Sequence, residues 1–548
     1  MRLRPERNWP SLLLSGALAG YGAWYLRGLL ETDLILFPAI LALYAALAAA
    51  KLFFTFIAMI PRMVRHARAR RVTGRGGTAG WASEKEIRKA GLLNSRRGFF
   101  VALTKRGKPM FVELTSSGLV LAPAGVGKTR NFSIPALLHH DGSMIVPDLK
   151  GTLACITAEH RRSHLKQNVY CIDPTGKYES IVGKSAAYNI LQTLLNHWND
   201  PSRHIHLLAD ANELAVHFCP EPARTSENVF FRNASRNLLA FAFVYLVIMG
   251  LDATLTGAYV LLRSRQKMTD AVDMACSTDY LNGDLAGIAD DIRTKLAQAD
   301  PRQLESFFEG AIQALRIYAP SGPFAACTSH CSFEPGDLRR NKGTVYICGD
   351  ATRPGETRQF VGDQTFGHKL ELMRETSGHS VTILAEEATN IRIHGFPSLM
   401  TVAREFNIVI WVVVQELEEW AAVYGRESLE TLLSQTEIKV IYGSRSHKTC
   451  QLISDMLGDQ SVVSANHNVG ADIFDPVTRS FSEGSRKLLT PEEVRRCKDA
   501  IVFIRDMRPI RGESIGYHEV EPWREWAAVN PLFGMKYLGK IRLRLRYQ

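Results

Sequence analysis

Residues 122–129 read Ala122-Pro123-Ala124-Gly125-Val126-Gly127-Lys128-Thr129, a phosphate-binding loop with one letter changed. The general pattern is Gly, four free residues, then Gly-Lys-Ser/Thr, and Ala122 stands at the first glycine. The flanks fit. Gly118–Leu121 (Gly-Leu-Val-Leu) is an apolar strand-like run, and Thr129 opens a helical pattern that continues through Leu138. A strand, a glycine loop and a helix N-terminus in succession aim several backbone N–H groups and a helix dipole at one point, which suits a triphosphate. The candidate cradle is Pro123, Ala124, Gly125, Val126, Gly127, Lys128, Thr129 and Arg130. Lys128 is placed to reach the β- and γ-phosphates of ATP, and the Thr129 hydroxyl to ligate Mg²⁺.

Such a loop needs a carboxylate on a neighbouring strand. Val381–Leu384 (Val-Thr-Ile-Leu) has the pattern of a short buried strand and runs, past Ala385, into Glu386-Glu387. An acid pair at that end of a strand can hold the Mg²⁺ water shell and orient or deprotonate an attacking water. Ala385 stands where many ATPases put an acid, so the residues alone leave the register of the pair open. Asn407–Val414 is a further apolar run, and Gln415 at its end faces the same crevice of an open α/β sheet, where it can report the γ-phosphate. Arg404 precedes this strand and fits either an arginine finger or a solvated surface charge. Ser143–Val146, Asn168–Ile172, Gly343–Cys348 and Glu437–Tyr442 are strand-like as well. Strands alternating with helical patterns argue an α/β fold with a mainly parallel sheet.

A chain of 548 residues exceeds one ordinary core, and 46% hydrophobic with 22% charged residues is the composition of a folded protein. The net charge of +11 favours an anionic partner, either nucleic acid or a lipid surface. Nine scattered cysteines argue against a disulfide framework. Cys327, His330 and Cys331 form the only cluster, short of the four ligands a structural zinc site needs, so buried thiols are expected.

Trp9–Leu26 is uncharged and largely apolar, and after Arg27, Glu31 and Asp33 a second uncharged stretch, Leu34–Ala50, begins. Apolar character continues past Lys51 to Ile60, so Lys51 either snorkels or marks the exit from hydrocarbon. Arg2, Arg4 and Arg7 before the pair, and Arg62, Arg65, Arg68, Arg70 and Arg71 after it, predict a hairpin with both ends cytoplasmic. The soluble body is thus expected on the cytoplasmic side of a bacterial inner membrane.

In this order the motifs resemble those of the type IV coupling proteins, the membrane-anchored ATPases of conjugation and type IV secretion. Pro123–Thr129 and Ile134-Pro135-Ala136-Leu137-Leu138 are similar to that family's phosphate loop and following helix, where Ala at the position of Ala122 is common. Asp148-Leu149-Lys150-Gly151 resembles the family's Asp-x-Lys-Gly box, and Tyr188-Asn189-Ile190-Leu191 its Asn-Pro-Leu box. Glu386-Glu387-Ala388-Thr389-Asn390-Ile391 aligns with Asp-Glu-Phe-Ala-Asn-Leu, which implies Glu386 on the metal side and Glu387 as the catalytic acid. Arg404 matches the arginine finger and Gln415 the sensor glutamine, and Leu488–Val494 matches the closing motif.

The resemblance implies a RecA-type P-loop NTPase domain with an inserted all-α domain. Independently, strand signals vanish between about Trp198 and Tyr318 while helical patterns dominate: Phe230–Met249, Leu255–Arg263, Leu285–Ala299 and Gln303–Tyr318. The expected organisation is a transmembrane hairpin over 1–61, a nucleotide-binding domain over 62–195 and 321–523 with the insertion at 196–320, and a basic tail over 524–548. That tail (Lys536, Lys540, Arg542, Arg544, Arg546) reads as a frayed, solvated terminus or as a contact for DNA or an acidic partner.

The implied function is a homohexameric ATPase that passes relaxase-bound, single-stranded DNA, protein effectors, or both to a type IV secretion channel. Arg404 would complete the neighbouring subunit's site. An effector-only receptor and a septal-type chromosomal DNA translocase are the rivals. The two-helix anchor favours coupling over the septal class, and intact Lys128, Thr129 and Glu387 argue against a dead site.

Overall fold

A computed structural model describes residues 9–29, 36–69, 74–93, 98–113, 117–221, 229–391, 393–468, 478–532, 534 and 539–545. The strands, in chain order, are β1 (Phe99–Thr104), β2 (Pro109–Val112), β3 (Gly118–Leu121), β4 (Ser143–Asp148), β5 (Asn168–Ile172), β6 (Gly343–Cys348), β7 (Val381–Ala385), β8 (Ile408–Val414), β9 (Ile438–Ile441), β10 (Asp459–Asn468), β11 (Thr478–Lys487), β12 (Ala500–Ile504) and β13 (Ile510–Glu513). Two compact units result, one of 1–79 with 458–488, the other of 80–457 with 489–548.

The larger unit is built on one sheet of eleven strands in the order β2-β1-β13-β12-β9-β3-β8-β7-β4-β6-β5. Every pairing from β9 to β5 is parallel, and β12, β13, β1 and β2 extend the sheet antiparallel from β9. The α/β class with a mainly parallel sheet is therefore as read from the sequence. Strands β3, β4, β6, β7 and β8 are buried along their whole length, which is why they appear as unbroken apolar runs. Trp411 of β8 stacks on Phe99 with ring centroids 4.4 Å apart and lies 5.3 Å from Phe132, which follows the phosphate loop. Gly118 leaves room for this indole, since a Cβ there would sit 2.4 Å from its ring.

Two buried arginines brace the N-terminal edge of the sheet. Arg161 donates to the carbonyls of Leu137, His140 and Gly142 and to Thr344 and Gln167. Arg339 donates to the carbonyls of Leu372, His379, Phe406 and Asn407. Loop carbonyls that would otherwise be orphaned are satisfied by these guanidinium forks.

Between Gln192 and Tyr318 the described residues contain helices and no strand, with helices at His204–Phe218, Val229–Ile248, Leu255–Arg263, Arg265–Cys276, Asp284–Gln298 and Pro301–Leu315. Buried polar pairs tie them to the long Pro354–Arg374 helix. His197 Nε2 meets Asp210 Oδ2 at 2.7 Å, and Arg374 Nε donates to the same oxygen at 2.9 Å. His217 Nε2 and the Tyr318 hydroxyl each lie 2.8 Å from an Asp363 carboxylate oxygen.

The C-terminal stretch departs from a frayed end where it is described. Val520–Glu521 pairs in parallel with Leu543–Arg544, Arg542 N donates to the Glu519 carbonyl, and Arg544 reaches the Glu521 carboxylate at 2.9 Å. Glu519 and Glu521 give Arg542 and Arg544 of the tail an internal partner. Lys536 and Arg546 lie outside the described residues.

In the smaller unit, helices span Trp9–Leu29 and Leu36–Ala69. Ala39–Pro61, 23 residues of mean hydropathy 2.1, is the one segment among the described residues long and apolar enough to cross a membrane. Lys51 falls within that segment, so it does not mark the end of the apolar stretch. Arg2, Arg4, Arg7, Glu31, Asp33, Arg70 and Arg71, on which the topology reading rests, lie outside the described residues. Strands β10 and β11 form an antiparallel hairpin with ten residues in each strand, within the span 321–523 expected to be nucleotide-binding domain. Residues 74–79 bond to it through Ala79 N to the Asp459 carbonyl and Ser461 N to the Gly77 carbonyl.

Candidate nucleotide site

The loop at 122–129 follows β3 directly, and its missing glycine has a geometric reason. Ala122 continues the strand, donating its N–H to the Val414 carbonyl at 3.1 Å, and it is fully buried. The residues of the loop at positive φ are Gly125 (+84°) and Gly127 (+96°), and both are glycine. Position 122 needs no glycine because its φ is not positive. The helix then opens with a wide turn over Thr129–Ser133, in which Ile134 N bonds to the Thr129 carbonyl, before Ile134–His139. Exposed Arg130 folds back across Gly127.

Strand β8 lies between β3 and β7, whose C-terminal ends fall within two residues of each other along it: Leu121 pairs with Val414 and Ala385 with Val412. Gln415 therefore emerges half-buried between the phosphate loop and the Glu386-Glu387 turn. Thr129 Oγ1 donates to Glu386 Oε1 at 2.5 Å, and Ser133 Oγ donates to the same oxygen at 3.3 Å. Lys128 Nζ and Lys150 Nζ lie 3.3 and 3.2 Å from Glu387 Oε1, while Asn390 Nδ2 donates to Glu387 Oε2 at 3.2 Å. Glu387 itself sits in the left-handed region (φ 55°, ψ 45°), a costly conformation for a non-glycine residue that turns the chain sharply out of β7.

Environment separates the two acids. Burial pushes the Glu386 carboxyl above its ordinary range despite Lys128 and the Thr129 hydroxyl. Burial acts on Glu387 too, but Lys128 and Lys150 outweigh it and hold that carboxyl below its ordinary range. Asp148, at the end of β4, is pushed up to about 7, first by burial, with Glu386 adding to the rise, against the Ala154 N–H that bonds it. A hydroxyl beside a buried carboxylate is a hard-oxygen donor pair of the kind Mg²⁺ takes, with waters and substrate phosphates completing its shell. Thr129 and Glu386 would hold it there. No group of three or more His, Cys, Asp or Glu fit to bind a metal occurs among the described residues, the Cys327–Cys331 stretch included, and all nine cysteines are free.

The profile of the family described as Type IV secretory system Conjugative DNA transfer matches residues 77–533. The chain belongs to this family. Protein VirD4 of Agrobacterium fabrum is 24% identical over 467 residues, covering 81% of this chain, and VirD4 of Rhizobium radiobacter is 24% identical over 459. The chain spans 64–66% of the length of these VirD4 relatives. Conjugal transfer protein TraG of Escherichia coli is 32% identical over 117 residues, 18% of each chain. The fold is that of the bacterial conjugative coupling protein TrwBdeltaN70, with TM-score 0.57 at 15% identity over 81% of this chain and 96% of that one. TrwB in complex with ADP and Mg²⁺ gives TM-score 0.55 at 14% identity over 80% and 93%.

In this type IV secretory family chain, Arg404 is the one candidate that stands apart. It precedes β8 at the N-terminal edge of the sheet, 74% exposed at the side chain, with Glu437 3.9 Å away. The length of β8 separates it from its own phosphate loop by roughly 20 Å. Two further residues carry weaker sequence signals. Lys150 was visible only as part of a family box, and nothing in its own stretch pointed to Glu387. Arg445, beyond β9, donates from Nη2 to the Ala124 carbonyl of the loop at 3.1 Å, while its backbone N–H donates to Glu416 at 2.7 Å. A lone arginine in a polar turn gives no such signal.

Proposed function

We propose that this protein is a membrane-anchored ATPase that couples substrate to a type IV secretion channel. The observation that carries the reading is the meeting of Thr129 with Glu386 and of Lys128 with Glu387 across the C-terminal ends of β3 and β7. Loop N–H groups and Lys128 bind and orient the phosphates, and Glu387 orients the attacking water and accepts its proton. Bound Mg²⁺ would neutralise charge on the phosphoryl oxygens. Gln415 stands where it can hydrogen-bond the γ-phosphate. The ADP–Mg²⁺ complex of TrwB supports ATP and Mg²⁺ as ligands.

Family membership supports DNA as cargo and favours coupling over a septal-type translocase. The cargo reading is relaxase-bound single-stranded DNA, held electrostatically and without sequence preference, with protein effectors as alternative or additional substrates. Exposed Arg404, far from its own loop, supports a homohexamer in which it enters the neighbour's site. The Ala39–Pro61 helix supports an anchor in the bacterial inner membrane, to which Trp9–Leu29 would add a second pass. Steady-state ATPase assays on wild type and Lys128→Ala test the core of this reading. Turnover should be lost while membrane insertion is retained, and unchanged turnover would remove the loop from the mechanism.

A further inference from the structure

We infer that Lys150 is a positioning residue for hydrolysis, holding the Glu387 carboxylate in place while Lys128 is engaged by nucleotide phosphates. This rests on the ATPase reading and deepens it.

The two lysines reach Glu387 from opposite sides. Lys128 comes from the loop after β3, and Lys150 from the turn after β4, the strand paired with β7 on the side away from β8. Both ammonium groups share Oε1, whereas Oε2 is taken by Asn390. A phosphate chain on the loop competes for Lys128, because that ammonium is the loop's own phosphate ligand. Lys150 is no part of the loop. With Lys150 on Oε1 and Asn390 on Oε2, each carboxylate oxygen keeps a partner when Lys128 turns to nucleotide.

The turn that presents Lys150 is built rather than loose. The Tyr178 hydroxyl donates to the Lys150 carbonyl at 2.7 Å, and Tyr178 N donates to Asp173 Oδ2 at 2.8 Å. Gly151 follows at φ +66° with its Cα against the Tyr178 ring, where a Cβ would come within 2.2 Å. Asp148 closes the turn, its carbonyl accepting from Gly151 N and Gly349 N at 3.0 Å and its carboxylate from Ala154 N at 2.9 Å. A half-exposed lysine side chain thus stands on a fixed backbone and aims at the strained glutamate. The lysine end of this pair is 55% exposed, so solvent screens its contribution to fold stability, and its effect is sought in the rate.

The test uses the full chain and reads kcat, KM for ATP and the Kd of a fluorescent ADP analogue. Lys150→Met should lower kcat by ~10–100-fold with KM and Kd within about 2-fold of wild type, and Lys150→Arg should retain most of the rate. In a Glu387→Gln background, Lys150→Met should cost nothing more, because the group it positions is gone. An equal loss of nucleotide affinity would make Lys150 a phosphate ligand, and additive losses would make it merely structural; either overturns the proposal. Lys128-dependent turnover that stays at the wild-type rate in Lys150→Met overturns this role alone. Wild type without Lys128-dependent turnover overturns the ATPase reading beneath it.

Discussion

Thr129 Oγ1 donates a 2.5 Å hydrogen bond to Glu386 Oε1, joining residues 257 apart in sequence across the intervening strand β8. The bond defines how far the acid must reach. Aspartate, which the resemblance expects here, is one methylene shorter, about 1.5 Å. Glu386→Asp should therefore lose the Thr129 contact and raise the Mg²⁺ concentration needed for half-maximal turnover by ~10-fold or more, with metal-free nucleotide binding unchanged. Turnover titrated with Mg²⁺ checks this, and an unchanged titration would take Glu386 off the metal.

Glu387 is held ionised by two lysines and kept in a left-handed backbone conformation, so charge and position are both fixed before reaction. Glu387→Gln keeps size and the Asn390 contact but cannot accept a proton. Its kcat should fall by ~10²-fold or more while ADP affinity stays near wild type. Single-turnover assays beside equilibrium binding separate the two, and a parallel loss of binding would reassign Glu387 to ground-state recognition.

Arg404 makes one long ion pair at the surface, with Glu437 at 3.9 Å. Such a pair contributes about 0–1 kcal/mol, so Arg404→Ala should leave the melting temperature almost unmoved. Turnover should fall by ~10³-fold in the assembled oligomer, with little change in monomers, if the guanidinium serves a neighbour's phosphates. Mixing Arg404→Ala with Lys128→Ala chains gives a sharper reading: partial recovery of activity is expected, since each supplies what the other lacks at alternate interfaces. Equal loss in monomers and oligomers would end the trans assignment.

What the sequence disclosed follows from burial. Strands β3, β4, β6, β7 and β8 are buried along their whole length, so each appears as a largely apolar run, and Gly343–Cys348 is legible to the residue. Strands β1, β2, β12 and β13 were missed. Phe99–Thr104 is as buried as any, yet it is flanked by Arg96, Arg97, Lys105 and Arg106 and lacks the helix-alternating rhythm of the parallel strands. The sequences of β10 and β11 (Asp459–Asn468 and Thr478–Lys487) are mostly polar and carry no sustained period-two apolar alternation. At the site, Lys128, Thr129 and Glu387 were readable because spacing along the chain fixes the loop and strand end. Lys150 and Arg445 were not, because they arrive from strands on either flank and only the sheet order brings them in.

Acid should weaken this fold from the histidine side. His140 and His368 are fully buried, and Nδ1 of His368 lies 2.7 Å from the Gln364 carbonyl. Burial holds them down to about 3 and about 4, from the ordinary 6.5. Above pH 6.5 both folded and unfolded chains keep these rings neutral, and the stability is complete. As pH falls below 6.5 the unfolded chain takes up protons that the folded one refuses, costing about 1.4 kcal/mol per pH unit for each histidine until the folded pKa is reached. Burial lowers His139 and His160 in the same direction, to about 3 and about 4. Asp148, pushed up to about 7 from 3.8, opposes them, since its stability contribution is lost as pH rises through that window. Burial raises Glu386 and Glu334 in the same sense as Asp148, but it also lowers His206, His394 and His518, so seven histidines against three carboxyls leave the acid side weaker. Melting temperature should therefore fall steadily from pH 6.5 toward 4, and His140→Phe, which can pack on Phe99 5.6 Å away, should flatten that slope. A melting curve that His140→Phe leaves equally steep would mean the acid sensitivity lies elsewhere.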